Sequence, residues 1–157
     1  MLYFRHASTD LGQNDDRMTG FEDCSTQRNL TERGRDEARA IGAAIRRIGI
    51  PVDRVLASPF CRTRETAELI FGRATVDPRV RGGPAQTDDA GRYAELRALL
   101  SAPVDAGANL AIVSHGNPFH AVAGPYLAEG EMAVMEPRGA QGFRIVARVR
   151  LDGWAPL

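Results

Sequence analysis

Apolar residues fall into short blocks along this chain, and the spacing within the blocks changes from one to the next. Leu2-Tyr3-Phe4 is a continuous apolar run that stops at Arg5-His6. Such a run reads as the end of a buried strand, placed at about Leu2–Arg5. Similar runs predict strands at about Arg54–Ala57, Thr75–Asp77 and Leu110–Val113. Met132–Met135 and Phe143–Val149 read as two last strands, the second alternating as a one-sided strand does. Between the strands the period lengthens. Ala38, Ile41, Ile45 and Ile48 form one helical stripe, with Thr31 as N-cap and with Gly49 and Pro51 ending the helix. Ser58-Pro59 opens a second helix, with Pro59 early in its first turn, and Gly72 stops it. A third helix covers Tyr93–Leu100, and a short one covers Pro118–Ala123 before Gly124-Pro125 breaks it. Two polar loops stand out, at residues 7–29 and 78–90. The first is longer than ordinary connections, which predicts a functional loop or lid. No repeat, low-complexity tract or internal boundary is visible, so residues 1–157 read as one domain.

Composition narrows the function classes. The formal net charge is zero, so bulk charge implies neither a nucleic acid nor an anionic membrane as partner. No apolar run reaches the length of a membrane span, and no signal peptide is visible. A cytoplasmic location is the plain expectation. Because the chain starts almost on its first strand, a precursor with a removed leader is the alternative. All 20 basic residues are arginine. Every fixed cation is therefore a guanidinium, able to hold two oxygens at once.

The polar residues at the strand ends carry the chemistry. In an open α/β sheet, chemistry collects at the carboxyl ends of strands. Three such ends deliver Arg5, His6, Arg62 and His115: a cation beside an imidazole, a second cation near a helix N-terminus, and a second imidazole. That set suits a phosphate. Leu2–Thr9 contains Arg-His-Ala-Ser-Thr, Ser58–Ala67 reads Ser-Pro-Phe-Cys-Arg-Thr-Arg-Glu-Thr-Ala, and Ser114–Gly116 reads Ser-His-Gly. In order and spacing these stretches resemble the histidine phosphatase, or phosphoglycerate mutase-like, superfamily. Its motifs are Arg-His-Gly-x-Thr, Ser-x-x-x-Arg-(Ala/Thr)-x-x-Thr-Ala and Ser/Gly-His-Gly. Asn29–Arg35 also resembles the family's entry into the first helix. Ala7 replaces the usual Gly, which a negative φ tolerates.

The resemblance implies a three-layer α/β/α sandwich with a mostly parallel central sheet. It implies a phosphatase in which Arg5, Arg62 and His115 bind the phosphoryl group and His6 attacks phosphorus. Arginines would take the place of a cation, so no metal or other cofactor is expected. The expected substrate is a phosphorylated small molecule or a phosphoprotein. The family's Asn after the first motif is matched only by Asn14, two residues off register, a weaker candidate for phosphate contact. The family's acidic residue after the third strand is missing, since the matching stretch is Val80-Arg81-Gly82. Asp88 or Asp89 would then supply the proton to the leaving oxygen, or else simply cap the third helix. The missing Glu also leaves open a catalytically weak phosphate-binding member. A mutase-type phosphotransferase is a further alternative, although the short chain lacks room for the insertions that enclose a phosphosugar acid.

His120 reads as structural, and Arg64 as a surface residue. Cys24 and Cys61 have no metal-ligand spacing, and two free thiols in a reducing compartment is the simpler expectation. Cys61 nevertheless adjoins Arg62. If bonded, the pair closes a loop of about 38 residues, worth about 4 kcal/mol in the chain-entropy model, and implies an oxidising compartment. The sequence fixes no oligomeric state.

Overall fold

Apolar residues on alternate faces of the strands bury two separate cores, one on each side of a single sheet. The computed structural model describes residues 1–82 and 90–154, and of residues 90–92 the backbone alone. Its strands are β1 (Leu2–Arg5), β2 (Val52–Ala57), β3 (Thr75–Val76), β4 (Asn109–Ser114), β5 (Met132–Pro137) and β6 (Phe143–Val149). They form a six-stranded sheet in the order β3-β2-β4-β1-β5-β6. β3, β2, β4 and β1 run parallel, whereas β5 and β6 are antiparallel to their neighbours. The helices are α1 (Glu32–Ile48), α2 (Cys61–Phe71), α3 (Ala90–Ser101) and α4 (Gly116–Ala123).

Leu2, Phe4, Ala111 and Val113 face one side, where they pack with Ile41 and Ile45 of α1 and Ile70 of α2. Tyr3, Leu110 and Ile112 face the other, where they pack with Leu96 and Leu100 of α3 and Phe119 of α4. Side chains along the strands therefore alternate in direction and are apolar on both faces, as a sheet covered by helices on both sides requires. The result is the expected three-layer α/β/α sandwich. Gly42 lets α1 and α2 approach closely: a Cβ there would sit 2.5 Å from the Ile70 carbonyl oxygen.

Thr31 caps α1 by accepting from the Gly34 amide at 3.0 Å, and Gly49 ends it in the left-handed region at φ 74°. The second helix departs from expectation. It begins at Cys61 with Phe60 as N-cap, so Ser58 and Pro59 precede it. The reason lies in the strand: the Ser58 amide still donates to the Val113 carbonyl at 3.0 Å, which keeps Ser58 part of the sheet edge. Two further expectations change. Cys24 and Cys61 form a disulfide rather than two free thiols, because the long loop folds back over the start of α2 and brings their Cα atoms to 5.7 Å. Arg64 is not a free surface residue. It donates to the Phe21 carbonyl at 2.9 Å and to Cys61 Sγ at 3.2 Å, which ties the same loop to α2.

Candidate active site

β4 lies between β1 and β2, so the carboxyl ends of these three parallel strands are adjacent. Arg5 pairs with Ser114 in register, and the His6 amide donates to the Ser114 carbonyl at 3.0 Å. His6, Ser58 and His115 therefore leave one edge of the sheet together. Arg62 follows as the second residue of α2. These placements bring Arg5, His6, Arg62 and His115 into one pocket of about 370 Å³. Asn14, Asp15 and Arg28 of the long loop line the same pocket. α4 opens at its rim, with His115 as N-cap and no side chain capping its first amides; Gly116 and Asn117 line the pocket there. Uncapped helix N-termini favour anions.

The two histidines are buried and face each other edge-to-face, with ring centroids 5.4 Å apart. His6 Nδ1 lies 2.9 Å from its neighbour's carbonyl, Ala7 O. A carbonyl only accepts, so Nδ1 carries the ring proton and Nε2 keeps its lone pair. Burial holds the His6 pKa well below its usual range; the Ala7 carbonyl opposes it as the next largest effect, and Arg62, Arg5 and Arg28 each lower it further by less. His115 is shifted the same way, by burial and then by His6 and the three arginines. Its Nε2 pairs with Ser58 Oγ at 2.8 Å, and Tyr3 Oη donates to its carbonyl at 2.9 Å. Its Nδ1 makes no hydrogen bond to the described residues.

Two arginines are held by one end. Arg5 Nη1 donates to the Leu127 carbonyl at 2.8 Å, and its Nη2 lies 3.5 Å from Glu129 Oε1. Arg62 Nη1 donates to Asp15 Oδ1 at 3.0 Å and to the Arg28 carbonyl at 3.1 Å. The Nε atoms of Arg5, Arg28 and Arg62 are all buried without a hydrogen-bond partner. Leaving a buried donor unpaired costs about 1–3 kcal/mol. All three residues line the one pocket.

The expected acid is not at hand among the described residues. Asp88 and Asp89 lie outside them. The position where the family places Glu holds Gly82, and the structure gives a reason for the glycine. A Cβ on Gly82 would sit 2.1 Å from His115 Cδ2, so the backbone there approaches the imidazole too closely for a side chain. Asn14 is exposed, and its Oδ1 accepts from the Asp16 amide at 3.1 Å.

Sequence reasoning missed Ser58, Gln27, Asp15, Arg28 and Glu129. Gln27 is buried; its Oε1 accepts from the Cys61 amide at 3.0 Å, and its Nε2 donates to the Gly20 and Phe21 carbonyls at 3.2 Å each. It therefore occupies the first amide of α2, the place where the sequence expected help for an anion. Glu129 accepts from Thr9 Oγ1 at 2.7 Å and lies 3.9 Å from His6 Nδ1. For Gln27, Asp15 and Arg28 the one signal was the length of the loop, and for Ser58 it was its place at the head of the second motif. Nothing distinguished Arg28 among 20 arginines. A larger groove of about 740 Å³ lies beside the disulfide, but it holds no histidine, and its Arg35 pairs with Glu65 at 2.6 Å. Among the described residues no group of His, Cys, Asp or Glu has the makeup of a metal site, and no helix is long and apolar enough to cross a membrane.

The profile of the histidine phosphatase superfamily (branch 1) matches residues 1–83. The mitochondrial serine/threonine-protein phosphatase Pgam5 of Drosophila willistoni is 33% identical over 78 residues, 49% of this chain and 23% of that protein. Pgam5 of Drosophila virilis is also 33% identical over 78 residues, 49% of this chain and 24% of its own. The chain thus spans about a quarter of the length of these curated relatives. Among solved structures, the protein histidine phosphatase SixA complexed with tungstate aligns at a TM-score of 0.67 and 20% identity, covering 96% of both chains. Mycobacterial glucosyl-3-phosphoglycerate phosphatase aligns at 0.64 and 15% identity, over 94% of this chain and 96% of its own. At these identities the structural likeness shows the fold.

Proposed function

The chain belongs to the histidine phosphatase superfamily (branch 1), and on that premise we propose that it hydrolyses phosphomonoesters, or phosphohistidine, through a phosphohistidine formed on His6. The observation that carries the reading is the set of three unpaired Nε atoms, on Arg5, Arg28 and Arg62, beside an imidazole whose Nε2 is free to attack. A phosphoryl group brings two negative charges and several acceptor oxygens. It would satisfy all three donors without a metal ion.

In the first step, His6 Nε2 bonds to phosphorus as the bond to the leaving oxygen, or to the leaving imidazole nitrogen, breaks. His115 Nδ1 and the arginines hold the oxygens of the transferring group. The leaving atom takes a proton, from Asp88 or Asp89 in this reading, or from water when the leaving group is good. In the second step, water attacks the phosphohistidine and returns inorganic phosphate and free His6. Asn14 borders the seat and is proposed only to contact phosphate. The glycine in place of the family's Glu is the observation that favours a second reading, a phosphate binder with little turnover.

Both named relatives, SixA and Pgam5, carry names of protein phosphatases, which supports a phosphoprotein substrate; the glucosyl-3-phosphoglycerate phosphatase supports a small one. The Cys24–Cys61 bond supports an oxidising compartment over the cytoplasm.

The test is hydrolysis of p-nitrophenyl phosphate in the presence of a chelator, wild type against His6→Ala. The leaving group is good, so the assay does not depend on the acid. Wild-type turnover should survive chelation and fall by about three orders of magnitude or more in the variant. Folded wild-type protein without activity would favour the phosphate binder.

A further inference from the structure

The guanidinium of Arg62 is fixed from three directions. Its plane is set by Phe60, with Cζ 4.5 Å from the ring centroid. Its outer edge is set by Asp15. Nη1 donates to Asp15 Oδ1 at 3.0 Å, and Nη2 lies 3.0 Å from Asp15 Oδ2. The Arg28 carbonyl accepts a second bond from Nη1 at 3.1 Å. Asp15 is itself anchored, because Oδ1 also accepts the Arg28 amide at 2.9 Å. The guanidinium's other edge has no partner at Nε: that atom is buried and unpaired, and one Nη2 proton points parallel to Nε–H in the guanidinium plane.

We propose that Asp15 is a positioning residue: by holding Arg62 along its Nη1–Nη2 edge, it leaves the Nε–Nη2 edge as the fork that takes two phosphate oxygens. This rests on reading the pocket as a phosphate seat. The opposite role for such a carboxylate is competition, in which phosphate must displace it from the arginine. The geometry separates the two roles. A competitor would sit on the arginine edge that the phosphate uses and would leave no buried N–H of Arg62 waiting. Asp15 instead occupies the edge shared with the Arg28 main chain, and the waiting N–H is on the other.

Charge and geometry then predict opposite signs. Asp15 reduces the positive potential of the pocket, so by charge alone its removal tightens anion binding. By geometry its removal frees the planar guanidinium to turn about Cδ–Nε and the other side-chain torsions, and one bidentate contact is lost.

The test measures binding of inorganic phosphate by calorimetry to wild type, Asp15→Asn and Asp15→Ala, with melting temperature and disulfide content as controls. Asn keeps an oxygen for the Arg28 amide, so the loop keeps that bond. We expect phosphate to bind about tenfold more weakly to both variants. With p-nitrophenyl phosphate, KM should rise more than kcat falls. Arg62→Lys should cost much less affinity in the Asp15→Asn background than in wild type, because the fork is already lost there. Equal or tighter phosphate binding by the variants overturns the proposal, as does an equal cost of Arg62→Lys in both backgrounds. Wild-type protein that binds phosphate without turnover counts against the catalytic reading and leaves this test intact. Wild-type protein that binds no phosphate overturns both.

Discussion

At the scale of single residues the site depends on two imidazoles kept neutral. Burial and three nearby arginines lower the pKa of His6 and of His115 well below the ordinary histidine value of 6.5. In the unfolded chain both return to that value. Below about pH 6.5 the unfolded chain takes up protons that the folded protein refuses. Their contribution to stability is therefore complete above that pH and is lost as the pH falls. The slope should approach about 1.4 kcal/mol per pH unit for each histidine. Denaturant unfolding in phosphate-free buffer between pH 7 and pH 5.5 measures it. His6→Gln and His115→Gln should each flatten the slope. A wild-type stability that does not change over that range would contradict the burial of neutral rings. Arg5, His6 and His115 were legible because a strand end is a local signal, an apolar run and then a polar residue, and Arg62 because it follows the next strand in the second motif, one residue into α2. Gly82 was legible only as an absence. Its reason is a packing contact with His115, 33 positions away in the chain, and no local pattern records that.

At the scale of elements the loop between β1 and α1 is built into the site rather than laid over it. The Cys24–Cys61 bond, the Gln27 side chain on the Cys61 amide and Arg64 on the Phe21 carbonyl join it to the start of α2. Phe21 packs edge-to-face on Phe60, at 5.1 Å between centroids, and Phe60 lies under Arg62. The loop in turn supplies Asp15 and Arg28 to the pocket. Reduction should therefore act on both stability and binding. The bond joins residues 37 apart, so breaking it should cost about 4 kcal/mol by chain entropy. It should also raise KM, since the loop that carries Asp15 and Arg28 loses its covalent tie to α2. Unfolding and kinetics of wild type with and without reductant measure both, with Cys24→Ser/Cys61→Ser as an insensitive reference. Equal unfolding midpoints with both thiols shown to be free would contradict this account. The sequence revealed that the loop is long; which of its polar side chains turn inward depends on a cross-link and on amide contacts to α2, and neither leaves a periodic trace.

At the scale of the whole molecule, the parallel order of β2, β4 and β1 makes the site. It places three strand ends side by side, although their residues are more than 50 positions apart in sequence. This part of the fold was readable, because apolar runs mark buried strands and a helical stripe marks α1. Helix boundaries were less so: α2 starts later than Ser58-Pro59 suggests because Ser58 remains bonded to β4 and to His115. In the proposed reaction His6 becomes phosphorylated. Its most direct measurement is rapid mixing with acetyl phosphate, quenching in base, and mass spectrometry of the digested chain. A phosphoryl group that is lost in acid, kept in base and carried by the peptide containing His6 is the predicted result, absent from His6→Ala. Steady turnover with no phosphorylated His6 at any quench time, or a phosphoryl group on another residue, would contradict it.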